Sequence, residues 1–327
     1  MRTIKRNALR VAAATVATGL LATGAVALAG AASASTLSPA QSTSYAFETL
    51  NNNHDLTFNQ LLGINDEGLI AGYFGSGAAG HPNKGYLLLP NHIAYLNENF
   101  PGSVQTQVTG LNNRGVTVGF WSSMNNANQM NDNHGFVDVN GQFRTADFPT
   151  GSPAAPPVDQ LLGVNDNDVA VGFYTDANGN NHGYEYNIAT HRYSTVTESG
   201  VSSLTAAAIN DRGDVAGFYT AGDGNTDAFI KFGNQTFINL SVPGASSTMA
   251  LGVSNSDEVV GTYTVGSGNS AVMHGFTWQP GRGFSTVDDP HGIGTTTING
   301  VNDHGQLVGF YVDAAGNTDG FLATPQR

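Results

Sequence analysis

Three segments carry the side chains best suited to chemistry. They are Asp176-Ala177-Asn178-Gly179-Asn180, Asp223-Gly224-Asn225-Thr226-Asp227 and Asp313-Ala314-Ala315-Gly316-Asn317-Thr318-Asp319. Alternating Asp and Asn oxygens are ligands that a calcium ion accepts. None of the three has the glutamate that ends an EF-hand loop. The same composition also makes a Gly-containing hairpin turn with solvated polar residues, and we favour that reading, with calcium as the alternative. His134, His182 and His274 recur at one position of a repeated pattern, where three imidazoles around a ring could meet a metal. Lys84, Asp227 and Asp319 fill the other three places, so we favour hydrogen bonding at a strand start and assign no metal. There is no Gly-x-Ser-x-Gly elbow, Walker loop, His-Glu-x-x-His or thiol, and we assign no catalytic residue. Asp288-Asp289 and Asp257-Glu258 read as turn and surface residues.

What must position these side chains is a repeat. Six segments align without gaps: Gly63 to Phe74, Gly110 to Trp121, Gly163 to Tyr174, Ala208 to Tyr219, Gly252 to Tyr263 and Gly300 to Tyr311. Their inner glycines, Gly72, Gly119, Gly172, Gly217, Gly261 and Gly309, follow one another at 47, 53, 45, 44 and 48 residues. A period of that size along the chain means a repeat architecture. Each copy reads as a strand, a tight Asn/Asp/Gly turn and a second strand. A glycine inside a strand marks close approach of a neighbouring backbone or ring. The aromatic pair after it places one ring on each face, so the second strand is sandwiched between layers.

A third strand begins at Lys84-Gly85-Tyr86, His134-Gly135-Phe136, His182-Gly183-Tyr184, Asp227-Ala228-Phe229, His274-Gly275-Phe276 and Asp319-Gly320-Phe321. Short fourth strands follow in the first five copies, near 93–96, 143–146, 193–196, 237–240 and 284–287. The sixth copy has none before the chain ends. Phe47-Glu48-Thr49-Leu50 matches the missing strand and has no repeat of its own. We therefore expect an all-β, six-bladed β-propeller of four-stranded blades, with residues 44–50 completing the last blade. The repeats lie near 56–100, 101–150, 155–200, 201–244, 245–290 and 294–327.

Asn-Asp-x-Gly, Val-Gly-x-Tyr, His-Gly-Phe and Phe-x-Thr-Val, with Pro-Gly-Ala-Ser-Ser-Thr at 243–248, resemble the HAF repeats of bacterial secreted proteins. The resemblance runs from Gly63 to Leu322 and implies an extracellular repeat protein. It brings no shared activity or catalytic residues. The fifth copy departs from it with Ser254-Asn255-Ser256-Asp257, and the fourth has Ala208 and Ala228 for glycine.

Residues 1–34 differ from the rest. Arg2, Lys5, Arg6 and Arg10 precede an apolar run from Val11 to Leu28 and the small residues Ala32-Ser33-Ala34. This is the pattern of a secretory signal peptide cleaved near Ala34. The remaining 293 residues keep all 25 acidic side chains and 8 of the 12 basic ones, a formal charge of −17. That excludes nucleic acid and anionic membrane surfaces as partners. With no cysteine, stability must come from burial and backbone pairing.

Between strands two and three the six intervals are 13, 16, 11, 11, 14 and 11 residues, whereas the first turns are of constant length. Variable loops on a rigid scaffold carry binding. We place the ligand surface at the variable-loop end near the channel, with Trp121, Asp176, Asn178, Asn180, Asp223, Asn225, Asp227, Asp313, Asn317 and Asp319 as binding candidates. We favour a monomeric secreted binding module for a glycan or cell-surface partner. The alternatives are a polysaccharide hydrolase or lyase with carboxylates at the channel mouth, and a purely structural extracellular protein.

Overall fold

The computed structural model describes residues 43–125 and 131–326. The segment at 1–34 expected to be a signal peptide lies outside them. β1 (Tyr45–Thr49) precedes six repeats. The first comprises β2 (Asn59–Ile64), β3 (Ile70–Phe74), β4 (Lys84–Leu88) and β5 (Tyr95–Asn97). The second comprises β6 (Gln105–Leu111), β7 (Val116–Ser122), β8 (His134–Val139) and β9 (Gln142–Thr145). The third has β10 (Asp159–Val164), β11 (Val169–Thr175), β12 (Asn181–Asn187) and β13 (Arg192–Val196). The fourth has β14 (Leu204–Ile209), β15 (Val215–Thr220), β16 (Thr226–Lys231) and β17 (Phe237–Asn239). The fifth has β18 (Ser247–Val253), β19 (Val259–Val265), β20 (Val272–Gln279) and β21 (Gly283–Thr286). The sixth has β22 (Thr296–Val301), β23 (Leu307–Val312) and β24 (Thr318–Pro325).

Each repeat is an antiparallel four-stranded meander, as the spacing predicts. In the sixth, β1 pairs with β24, with Phe47 opposite Ala323 and Thr49 opposite Phe321. A single parallel pair, Thr226 with Ser247, joins the strands of the fourth and fifth repeats into one eight-stranded sheet, with β17 beside β16. The architecture is all-β and of propeller type, built from repeated four-stranded sheets.

The conserved-looking glycines have a common cause. Every first strand bulges, between Leu61 and Gly63, Val108 and Gly110, Leu161 and Gly163, Ala206 and Ala208, Ala250 and Gly252, and Ile298 and Gly300. The bulge pushes a carbonyl toward the second strand. A Cβ on Gly309 would lie 1.9 Å from the Thr297 oxygen and 2.9 Å from the Phe321 ring. Gly119 faces the Gln107 oxygen at 2.0 Å and Phe136 at 2.8 Å. The expected close approach is thus made by a backbone and a ring together. Glycines of the first strands meet across repeats: a Cβ on Gly110 would lie 3.0 Å from the Gly163 Cα, and one on Gly300 would lie 3.2 Å from the Gly63 Cα.

The core lies between successive sheets. Third-strand glycines give room to the next repeat's first strand: Gly275 faces Ile298, and Gly320 faces Leu61, each at 2.9 Å from an added Cβ. Where the fourth repeat has Ala228 instead, the corresponding first-strand residue of the fifth is Ala250, and both sit fully buried in one cluster. The extra methyl is accommodated by a smaller neighbour.

Candidate functional site

The two ends of the repeated sheets are built differently. At the first-turn end, Asn65, Asn112, Asn165, Asn210 and Asn302 each do two things. The Asn112 Oδ1 accepts the N–H of Arg114 and of Val116, closing its own turn. The side-chain amide then donates to the next repeat: Asn65 to the Asn112 carbonyl, Asn112 to Asn165, Asn165 to Asn210, Asn210 to Ser254, and Asn302 back to Asn65 at 3.0 Å. Ser254 is too short to continue the series, and its hydroxyl instead caps its own turn at Glu258.

The next residue of each turn forms a second ring. Backbone N–H groups donate from Asp66 to Asn113, Asn113 to Asp166, Asp166 to Asp211, Asp211 to Asn255, Asn255 to Asp303 and Asp303 to Asp66, all at 2.7–2.9 Å. The Asn113 amide bridges Asp66 and Asp166, and the Asn255 amide bridges Asp211 and Asp303. Each of the four carboxylates therefore has both oxygens bonded. These turns and the first-strand ends enclose an axial cavity of about 120 Å³, lined by no aromatic residue. This cavity thus lies at the constant end, not at the variable-loop end where we expect the ligand surface. The reason is that the strands nearest the axis end at the turns, whose side chains reach sideways to their neighbours rather than across the axis.

At the variable-loop end, the second-strand rings are stacked. Trp121 lies between Phe100, at 4.6 Å and 6°, and His134, at 4.8 Å and 29°. Tyr174 lies between Phe148 at 4.7 Å and His182 at 4.9 Å. His274 stacks on Tyr263 and His54 on Phe74, while a tilted His291 meets Tyr311. Trp121 is therefore a pillar between repeats, stacked against Phe100 and His134. Its indole N–H donates to Thr145.

The third-strand histidines bond carboxylates, as favoured above. His134 Nδ1 meets Asp147 at 2.7 Å, His274 Nδ1 meets Asp288 at 2.7 Å, and His182 Nε2 meets Asp176 at 3.0 Å. The hydrogen bond to Asp147, against partial burial, raises His134 above the ordinary imidazole range. Asp147 and Asp288 also accept the N–H of Gly135 and Gly275. Asn99 and Asn51 do the same for Gly85 and Gly320. Beneath His134, burial pushes the Asp159 carboxyl up to about 8, while it accepts from Tyr184 and the Phe148 N–H.

The acidic loops close on themselves. Asp176 Oδ1 accepts the N–H of Asn178 and Asn180, and Asp313 Oδ1 accepts those of Ala315 and Asn317. Asp223 accepts the backbone and side-chain amides of Asn225. Asp227 accepts from Asn239, and the buried Asp319 accepts from Asn51. The candidates thus stand on separate repeats, each in its own turn, and are not brought together. Among the described residues no three His, Cys, Asp or Glu side chains are grouped to hold a metal. The cross-repeat rings were not foreseen. Their signal was the Asn-Asp pair itself, more polar than a constant hairpin requires.

Comparison with protein-family profiles and with curated protein sequences returned no match. Among solved structures, AofleA from Arthrobotrys oligospora aligns with a TM-score of 0.53 at 12% identity, covering 88% of each chain. TolB from Acinetobacter baumannii aligns at 0.47 and 12%, covering 83% of this chain and 65% of that one. The Aleuria aurantia lectin, described as a six-bladed β-propeller with a novel fucose recognition mode, aligns at 0.42 and 10%, covering 71% and 77%. At these identities the likeness concerns the fold alone.

Proposed function

We propose that this chain is an exported, six-bladed β-propeller of the HAF-repeat type that acts as a non-catalytic binding module for a glycan or cell-surface partner through its variable-loop end. Support for closure comes from the bonds between the sixth repeat and the first: Asn302 to Asn65, Asp303 to Asp66, and β1 on β24. Export rests on the basic, apolar and small-residue order of residues 1–34.

The observation that carries the reading is the difference between the two ends. At the turn end, six Asx residues use their hydrogen-bonding capacity on one another, which makes a scaffold. At the other end the loops differ in length and sequence and present polar groups to solvent.

A polysaccharide hydrolase or lyase finds one supporting observation, four carboxylates around the axial cavity. Both oxygens of each are already bonded and no ring lines the cavity, so the binding reading fits better. A glycan-array screen of the secreted protein, with and without calcium, tests the proposal. Specific retention supports it. Turnover of a retained polysaccharide overturns the non-catalytic assignment, and loss of retention on chelation makes calcium part of the site.

A further inference from the structure

The seam between the third and fourth repeats departs from all five others at one aligned position and from several of them at two more. The first is the residue after the fourth strand. It is Asn51, Asn99, Asp147 and Asp288 in four repeats, each capping a third-strand glycine N–H, but Thr197 in the third and Ser241 in the fourth. The second is the next residue. Phe100 and Phe148 there plug the seams beyond the first and second repeats by stacking on Trp121 and Tyr174, whereas the third repeat has Glu198, and Asn52, Val242 and Asp289 fill the remaining places.

The third position is on the following first strand. Asn59, Thr106, Asp159, Thr248 and Thr296 accept the backbone N–H of Asn52, Phe100, Phe148, Val242 and Asp289 at that second position, at 2.7–3.1 Å. Leu204 occupies the equivalent place beside Glu198 and has no acceptor to offer. The strands are also held less directly. Elsewhere the third strand's start meets the next repeat through backbone pairing, as at Asn133 with Asp159, Met273 with Gly294, and Thr318 with Thr57. In this seam, among the described residues, Asn181 instead bonds the hydroxyls of Ser203 and Thr205.

Beside Glu198 this seam holds a pocket of about 70 Å³ of mixed polar and apolar lining. Tyr174, His182, Thr195, Thr197, Glu198 and Ser202 line it. We infer that this seam is a binding pocket for the hydroxyl-bearing edge of a neutral pyranose, with Glu198 accepting from ligand hydroxyls. The inference rests on the binding-module reading and names its site. A carboxylate beside hydroxyls and an imidazole suits neighbouring sugar hydroxyls, which donate and accept at once. It repels an anionic sugar, because Glu198 and nearby Asp176 are both acidic. The volume holds the edge of one ring, not a chain of them.

The test is saturation-transfer NMR with methyl glycosides of glucose, galactose, mannose and fucose on wild type, Glu198→Phe, Glu198→Gln and Thr197→Asp. Wild type is expected to bind at least one glycoside. Glu198→Phe, which copies the plug of the two preceding seams, should weaken it at least about tenfold, the equivalent of one charge-assisted hydrogen bond, with thermal stability kept or raised. Glu198→Gln preserves shape and reports the carboxylate separately, so a folding defect in the first variant does not decide the matter. Thr197→Asp should also weaken binding by refilling the pocket. Binding unchanged in both Glu198 variants overturns the pocket, as does a wild type that binds none of the four. Retention of acidic glycans or proteins alone on the array would sink the pocket and leave the loop-end reading standing.

Discussion

The backbone N–H of Asp303 donates to Oδ1 of Asp66 at 2.8 Å, across 237 residues of sequence. The same bond, between the same two turn positions, joins every neighbouring pair of repeats. A hairpin turn is usually a local device, but here it is also the joint between units. The Asn before it closes the turn, and the Asp or Asn after it reaches sideways.

Asn113 tests the joint. Its amide supplies the donors that satisfy Asp66 and Asp166. Asn113→Asp removes both donors and places three carboxylates in succession. We expect a loss of about 1–3 kcal/mol in urea unfolding, shrinking as salt is raised because the repulsive part is screened. A loss that does not respond to salt would assign the whole effect to the missing hydrogen bonds.

Gly309 tests the bulge. An added methyl group would sit 1.9 Å from the Thr297 carbonyl, and neither partner is a flexible side-chain end. Gly309→Ala should cost about 3 kcal/mol or more, the upper part of the range for overpacking. Gly222→Ala, where an added Cβ meets nothing within 4 Å, should stay within about 0.5 kcal/mol of wild type. Equal effects would refute the steric account.

Much of this fold was legible because it repeats: six turns, six strand-two glycines and a stray fourth strand at Phe47 to Leu50 suffice for the pairing of β1 with β24. The bonds between copies were not legible, because Asn113 and its partners Asp66 and Asp166 lie 47 and 53 residues apart, with nothing local to match them. The ring stacks were hidden differently. His134 reaches Trp121 from a third strand, whereas His54 and His291 reach Phe74 and Tyr311 from incoming loops. One spatial role is filled from two sequence positions, so alignment scatters it.

Ala228 and Ala250 give a packing test. Ala250→Leu restores the bulk that Leu61 and Ile298 have at this first-strand position, but here it meets the methyl of Ala228. It should destabilise by about 1–3 kcal/mol. Adding Ala228→Gly, the residue of the other third strands, should recover at least about 0.5 kcal/mol, measured as coupling in a double-mutant cycle. Strict additivity would mean that the two residues are not in contact.

Calcium offers a ligand test. Asp176, Asp223 and Asp313 are already occupied by their own turn amides. Thermal unfolding with excess calcium and with chelator should therefore coincide. A site filled at a hundredfold excess over its Kd would add about 2.7 kcal/mol, so a clear upward shift with calcium would show that these loops rearrange to bind it.

Acid–base behaviour should centre on Glu98. Its carboxyl is buried, accepts from Thr117 at 2.7 Å, and lies by Asp138, whose Oδ1 has no other partner. Asp138 and Thr117 are opposed on neighbouring strands, and neither acid makes an ion pair among the described residues. Burial first, and then Asp138, push Glu98 up to about 7. The folded chain therefore holds a proton that the unfolded chain releases near the ordinary value of 4.5. The resulting stability is fully present below that value and is lost as pH rises through about 7. Glu98→Gln cannot release the proton, so its unfolding midpoint should fall less than wild type between pH 5 and 8, by a difference on the order of 1 kcal/mol after solvent screening. Parallel pH profiles for the two proteins would show that no proton is held between Glu98 and Asp138.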